Sequence, residues 1–274
     1  PWKRRPVADA TANALPAALA VTAGYGAGHL ALINWSWPGF PPAETTHWSL
    51  FLALAALLVG YLMYSFLRRP SAMARWSLRG LLVAAAIVAV ARPLLGTESF
   101  VSTVSWIALL TAGTVLWWVL AEQTGSRQKP AAFLATLLVV LSGASIALVI
   151  SGTGLVAQLV GALTAALGPL LLPAVLRGEP VPAPALSVVA VVLGALWANG
   201  VLYTYAELNA ISLLLLAASA LALAAAAAPP VQRLAASPRP LVRWSAAAVP
   251  AASSLIPLAA AIALALSRSA EMIY

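Results

Sequence analysis

Residues 185–205 read ALSVVAVVLGALWANGVLYTY, a run with no charged side chain. A helix needs roughly 20 predominantly apolar residues to cross a hydrocarbon core about 30 Å thick, and this run has that length. Outward from it, similar runs bounded by Arg, Lys, Pro or Gly recur along the whole chain. They lie at about 11–34, 48–67, 77–96, 100–121, 131–151, 154–176, 185–205, 208–228 and 245–267. The expected fold is an all-α integral membrane protein, a nine-helix transmembrane bundle with short loops forming one polytopic domain over residues 1–274. Three connections, Gly96 to Ser99, Gly152 to Gly154 and Ala206 to Glu207, are mere turns, so the spans they join are expected to be antiparallel neighbours.

Composition agrees with that expectation. The chain is 62% hydrophobic and 8% charged, with a mean hydropathy of +0.96, whereas an ordinary soluble domain is about a quarter charged. A soluble globular protein is excluded. The net charge of +8 is carried by few groups spread over apolar sequence, which also excludes a disordered tail or a nucleic-acid-binding module. There is no cysteine, so disulfides, thiolate metal sites, iron–sulfur clusters and Cys nucleophiles are excluded.

Lys and Arg are retained on the cytoplasmic side of a membrane, and their distribution over alternate loops sets orientation. Lys3, Arg4, Arg5, Arg68, Arg69, Arg75, Arg79, Arg127, Lys129, Arg177, Arg233, Arg239 and Arg243 fall on one side of a nine-span chain, and only Arg92 and Arg268 on the other. The expected N-terminus is cytoplasmic and the C-terminus outside, in a bacterial-type inner (plasma) membrane. Lys3-Arg4-Arg5 before an apolar run also suits a signal peptide, but that run extends past Gly24, Gly26, Gly28 and His29 to Trp35. A retained first span is expected. Trp35, Trp37 and Trp48 on one side, and Trp2, Trp76, Trp117, Trp118 and Trp244 on the other, are expected in interfacial belts.

Helices in lipid associate through close packing of small residues and a few interhelical hydrogen bonds. Gly24 and Gly28 form a small-xxx-small pair in the first span, and Gly161 and Gly168 bracket an alanine-rich face in the sixth. Pro93 in the third span, Pro169 and Pro173 in the sixth, and Pro250 and Pro257 in the ninth each remove an amide donor and free a carbonyl. Kinks are one consequence, and backbone exposed to a solute cavity is another.

No Lys, Asp or Glu occupies the middle of a span. Arg92 stands about 20 Å along the third span from Arg79 at 1.5 Å per residue, on the side that otherwise lacks basic residues. It either snorkels to the headgroups or faces inward to pair with a carboxylate or anionic ligand; inward pairing, with Glu98, Glu207 or Asn199 as partner, is the expectation taken forward. Asn199 and Tyr203, four apart on one helical face, join Glu207, Gln158 and Glu98 near the same boundary. These six residues, Arg92, Asn199, Tyr203, Glu207, Gln158 and Glu98, are the candidate substrate-binding set; interfacial caps and interhelical bonds are the plainer account of the uncharged ones.

The two histidines, His29 and His47, belong to different helix ends and are expected to be exposed, which disfavours a bis-His haem. Nothing matches an H-E-x-x-H site, a G-x-S-x-G elbow or a G-x-x-x-x-G-K loop. No cofactor or catalytic residue is expected, and partners are the lipid bilayer and other membrane subunits, without nucleic acid. Two functions fit: a carrier or permease for a small neutral or anionic solute, or a non-catalytic accessory subunit of a larger membrane complex.

Overall fold

In hydrocarbon, backbone N–H and C=O groups must be satisfied within their own segment, so apolar runs fold as helices. The computed structural model describes residues 14–65, 71–96, 98–150, 152–203, 218, 221–225, 228–235, 259–260 and 263, and all regular structure among them is helical. In chain order the helices are α1 (Ala14–Leu32), α2 (Trp48–Ser65), α3 (Ala72–Ala91), α4 (Phe100–Arg127), α5 (Pro130–Ile150), α6 (Gly154–Leu167), α7 (Leu171–Leu176), α8 (Ala183–Leu202) and α9 (Pro229–Ala235). Short 3-10 turns occupy Thr45–His47, Arg92–Gly96 and Gly168–Leu170. Among the described residues, six segments are long and apolar enough to cross a membrane: Ala14–Leu32, Thr45–Tyr64, Met73–Gly96, Phe100–Arg127, Gly154–Leu176 and Ala183–Leu202. The stretch Pro130–Ile146 of α5 is apolar but shorter. The runs expected at 208–228 and 245–267 lie largely outside the described residues.

The run quoted first, now α8, is the hub. It packs against α1, α2, α3, α4 and α6, and every residue from Pro184 to Val201 is buried. In a membrane a helix apolar on all sides suits either lipid or a protein interior, and α8 takes the interior. The surrounding helices bury one stripe each and turn large apolar side chains outward, among them Leu58, Leu81, Leu109, Leu116 and Ile146.

Small residues set how closely these helices approach. A Cβ built at Gly24 would lie 3.1 Å from the Ala166 Cβ, and one at Gly28 would lie 2.8 Å from the Ala162 Cβ. Ascending α1 therefore matches descending α6: the two helices are antiparallel, each presenting a small-xxx-small pair to the other. Gly60 of α2 meets Ser187 and Pro184 of α8, and Gly194 of α8 meets Thr114 of α4. The Ser187 hydroxyl donates to the Pro184 carbonyl at 2.6 Å and reaches the Ala56 carbonyl at 3.1 Å.

Helix ends follow local chemistry. Ser71 and Ser99 accept from the backbone N–H of Ala74 and Ser102, capping α3 and α4. Gly152, at φ +80°, closes α5 in a Schellman turn, with Thr153 N–H donating to Leu148 O and Gly152 N–H to Val149 O. The sixth expected span does not run straight. Pro169 offers no N–H to the Ala165 carbonyl, which instead accepts from Gly168 three residues on, and the chain passes through a 3-10 turn into the short α7.

The fourth helix outruns its expected end at 121 and continues to Arg127, taking Glu122 into the helix. Trp117 and Trp118, expected at an interface, are buried at 1% and 2% exposure. Both corrections share a cause, because the Trp118 indole N–H donates to Glu122 at 2.9 Å and the Arg79 guanidinium both hydrogen-bonds Glu122 and stacks 5.2 Å above the Trp118 ring. Trp35, Trp37 and Trp76 are exposed.

Candidate functional site

The end of α1, the start of α2 and the end of α8 meet at one end of the bundle, where otherwise apolar helices bring polar side chains into contact. Tyr25 and His29, four apart on α1, face the 3-10 turn Thr45–His47 and the first residues of α2. The Tyr25 hydroxyl donates to Ser49 Oγ at 2.6 Å. Ser49 has one hydrogen, which it gives to the Thr46 carbonyl at 2.6 Å. His29 Nδ1 lies 3.4 Å from the same Oγ. With the serine hydrogen committed, Nδ1 is the donor in that contact, which assigns the tautomer and leaves His29 Nε2 as an unprotonated lone pair.

That lone pair is buried. His29 is 1% exposed, and its Nε2 has no hydrogen-bond partner among the described residues. His47 packs edge-on against it, with ring centroids 5.6 Å apart. His47 Nε2 is likewise buried without a hydrogen bond, although Glu44 Oε2 lies 3.4 Å away. Thr46 Oγ1, in the same turn, is a third buried polar atom without a partner. The two histidines expected at separate, exposed ends are thus in contact, His29 buried and His47 with 16% of its side chain exposed, because α2 packs beside α1 and begins against the last turns of α1. Their signal in the sequence is the four-residue spacing of Tyr25 and His29, with Ser49 two positions beyond His47.

The five described residues of the six expected to bind a substrate share no hydrogen bond or ion pair with one another. Asn199 is buried at 3% exposure, its amide donating to Ala195 O at 3.1 Å and reaching Thr45 O at 3.4 Å. Tyr203 donates to the Val90 carbonyl at 2.7 Å, one of the last-turn carbonyls of α3 just ahead of Pro93. Gln158 and Glu98 are exposed, and Glu207 lies outside the described residues. Arg92 was expected to face the interior or a vestibule and to pair with Glu98, Glu207 or Asn199. It opens the 3-10 turn at the end of α3 with its side chain exposed, and no described residue bonds to it. The helical phase is the reason: Arg92 keeps helical backbone angles and continues the outward stripe of α3 formed by Leu81, Ala85 and Val88 at four- and three-residue spacing.

At the opposite end, Arg79, Glu122 and Trp118 tie α3 to α4. Arg75, Arg127, Lys129 and Arg177 stand at helix termini on that same end. Comparison with protein-family models, with curated proteins and with solved structures returned no match.

Proposed function

We propose that the chain is a non-catalytic subunit of a larger membrane complex. The observation that carries this reading is the packed centre: α8 is buried from Pro184 to Val201 and leaves the ring of α1 to α4 and α6 filled by side chains rather than surrounding a solute path. From α2 to α8 the connections between consecutive helices are short, which gives little material there for a water-exposed working part. Of the prolines that favoured a cavity, Pro93 and Pro169 lie at helix ends and are exposed, and Pro250 and Pro257 lie outside the described residues. Gathering of basic residues at the Arg79 end supports an orientation with that end cytoplasmic, in a nine-span chain of an inner membrane. The protein, solubilised in mild detergent, is expected to co-purify with other membrane subunits at fixed stoichiometry. A monodisperse solitary chain sinks the proposal.

A carrier for a small solute is the second reading, favoured by the adjacent His29 and His47, whose Nε2 atoms are buried, since polar groups at membrane depth are costly and mark functional places. Arg92, exposed and without a bonded partner among the described residues, lends no support to an anionic solute. Reconstituted protein that moves a solute across liposomes without partners decides for this reading.

A further inference from the structure

We propose that His29 and His47 form a binding site for a divalent d-block cation of the zinc class, with both Nε2 atoms as ligands. Three observations converge. First, the buried Nε2 atoms of adjacent rings both lack a hydrogen bond; an unsatisfied buried polar atom in a folded protein calls for an ion or an ordered water. Second, the ring centroids stand 5.6 Å apart. Two imidazoles sharing one ion through metal–nitrogen bonds of about 2.0–2.1 Å hold their centroids about 5–6 Å apart, over angles from tetrahedral to linear.

Third, the surroundings of His29 are those of a metal-ligating histidine. Such a residue donates its other ring N–H to a fixed oxygen, which sets the tautomer and aims the free nitrogen at the ion. Here Nδ1 turns to Ser49 Oγ, and Ser49 is itself fixed by the Tyr25 hydroxyl and the Thr46 carbonyl. Imidazole nitrogen suits zinc, copper and nickel, whereas magnesium and calcium take oxygen ligands. The Glu44 carboxylate, 3.4 Å from His47 Nε2, supplies negative charge beside the ion. Among the described residues no group of three His, Asp or Glu side chains is arranged to hold a metal. The described residues therefore contribute two imidazole ligands, and the remaining coordination positions are open to solvent or an exchanging group. Such an ion is held weakly enough to enter and leave, and it serves a subunit and a carrier alike.

The test is calorimetric titration of the full, tag-free protein in detergent with Zn²⁺, with Mg²⁺ as the comparison. One Zn²⁺ per chain and no Mg²⁺ are expected, with His29→Gln and His47→Gln each weakening Zn²⁺ at least tenfold. Ser49→Ala, a change to the positioning residue, is expected to weaken it about 10–100-fold without changing the stoichiometry. X-ray absorption of the Zn²⁺-loaded unaltered protein reads the ligands without any substitution and is expected to show two imidazoles. Absence of saturable Zn²⁺ uptake, a ligand shell without imidazole, or an affinity unchanged in both histidine variants overturns the proposal.

Discussion

Gly28 of α1 and Ala162 of α6 approach so closely that a Cβ at Gly28 would stand 2.8 Å from the alanine Cβ. Real side-chain atoms do not tolerate that separation, so the α1–α6 contact exists only because residue 28 has no side chain. Gly28→Val is expected to destabilise the bundle by about 1–3 kcal/mol, the usual cost of overpacking. Gly80→Ala, where nothing lies within 4 Å, is the comparison and leaves stability unchanged or slightly raised. Thermal unfolding in detergent reads both, and equal midpoints for Gly28→Val and the parent refute the contact.

Arg79 and Glu122 join α3 to α4 with little exposure, 11% and 26% of their side chains. Removing one partner of such a pair leaves the other charge uncompensated, at up to about 3–5 kcal/mol when burial is complete. Glu122→Leu and Arg79→Met are each expected to cost less than that ceiling, because part of each group reaches solvent. The double variant is expected to be more stable than the sum of the single losses implies. A double-mutant cycle measures the coupling, and strict additivity rules it out.

Much of this architecture is readable in the sequence because its causes are local. Length and hydropathy mark the helices from Ala14 to Leu202, serines at 71 and 99 cap their starts, and Gly152 shows where a turn must fall. Gly24 and Gly28 announce a close approach, though not that Ala162 and Ala166 receive it. The hub position of α8 was legible only in part, since 154–176 and 185–205 are equally apolar. What distinguishes them is which neighbours surround each, a long-range property. The candidate site was harder still. Arg92 attracted attention by its charge and depth, yet its direction is decided by which face of α3 is buried, and it falls on the exposed stripe with Leu81, Ala85 and Val88. His29 and His47 come together through the fold-back of residues 33–47, a path that no periodicity encodes.

Arg92 has no bonded partner among the described residues and an exposed side chain, so Arg92→Gln is expected to change stability by less than about 0.5 kcal/mol. Tyr203→Phe removes the 2.7 Å bond to the Val90 carbonyl and is expected to cost about 0.5–1.5 kcal/mol. The contrast is the informative result: a charge at the end of α3 that matters less than a neutral hydroxyl. If Arg92→Gln is the more damaging change, Arg92 has a partner and the anion-site reading returns.

Gly60 and Ser187 mark the closest passage between α2 and the central helix. A Cβ at Gly60 would collide with the Ser187 hydroxyl, and it would also stand 3.1 Å from the serine Cβ and 3.3 Å from the Pro184 Cα. The hydroxyl has no ready escape, being held by the carbonyls of Pro184 and Ala56. Gly60→Ala is therefore expected to be strongly destabilising although it adds a single methyl group. Ser187→Ala alone removes one hydrogen-bonding hydroxyl and is expected to cost no more than about 1 kcal/mol, near the average for polar contacts between membrane helices. Placed together, the two changes relieve the worst contact while keeping the tight Cβ and Cα approaches, so the double variant is expected to recover part of the Gly60→Ala loss. Unfolding midpoints of the four proteins decide the matter: a double variant no more stable than Gly60→Ala means that the Pro184 backbone, rather than the Ser187 hydroxyl, sets the distance between α2 and α8.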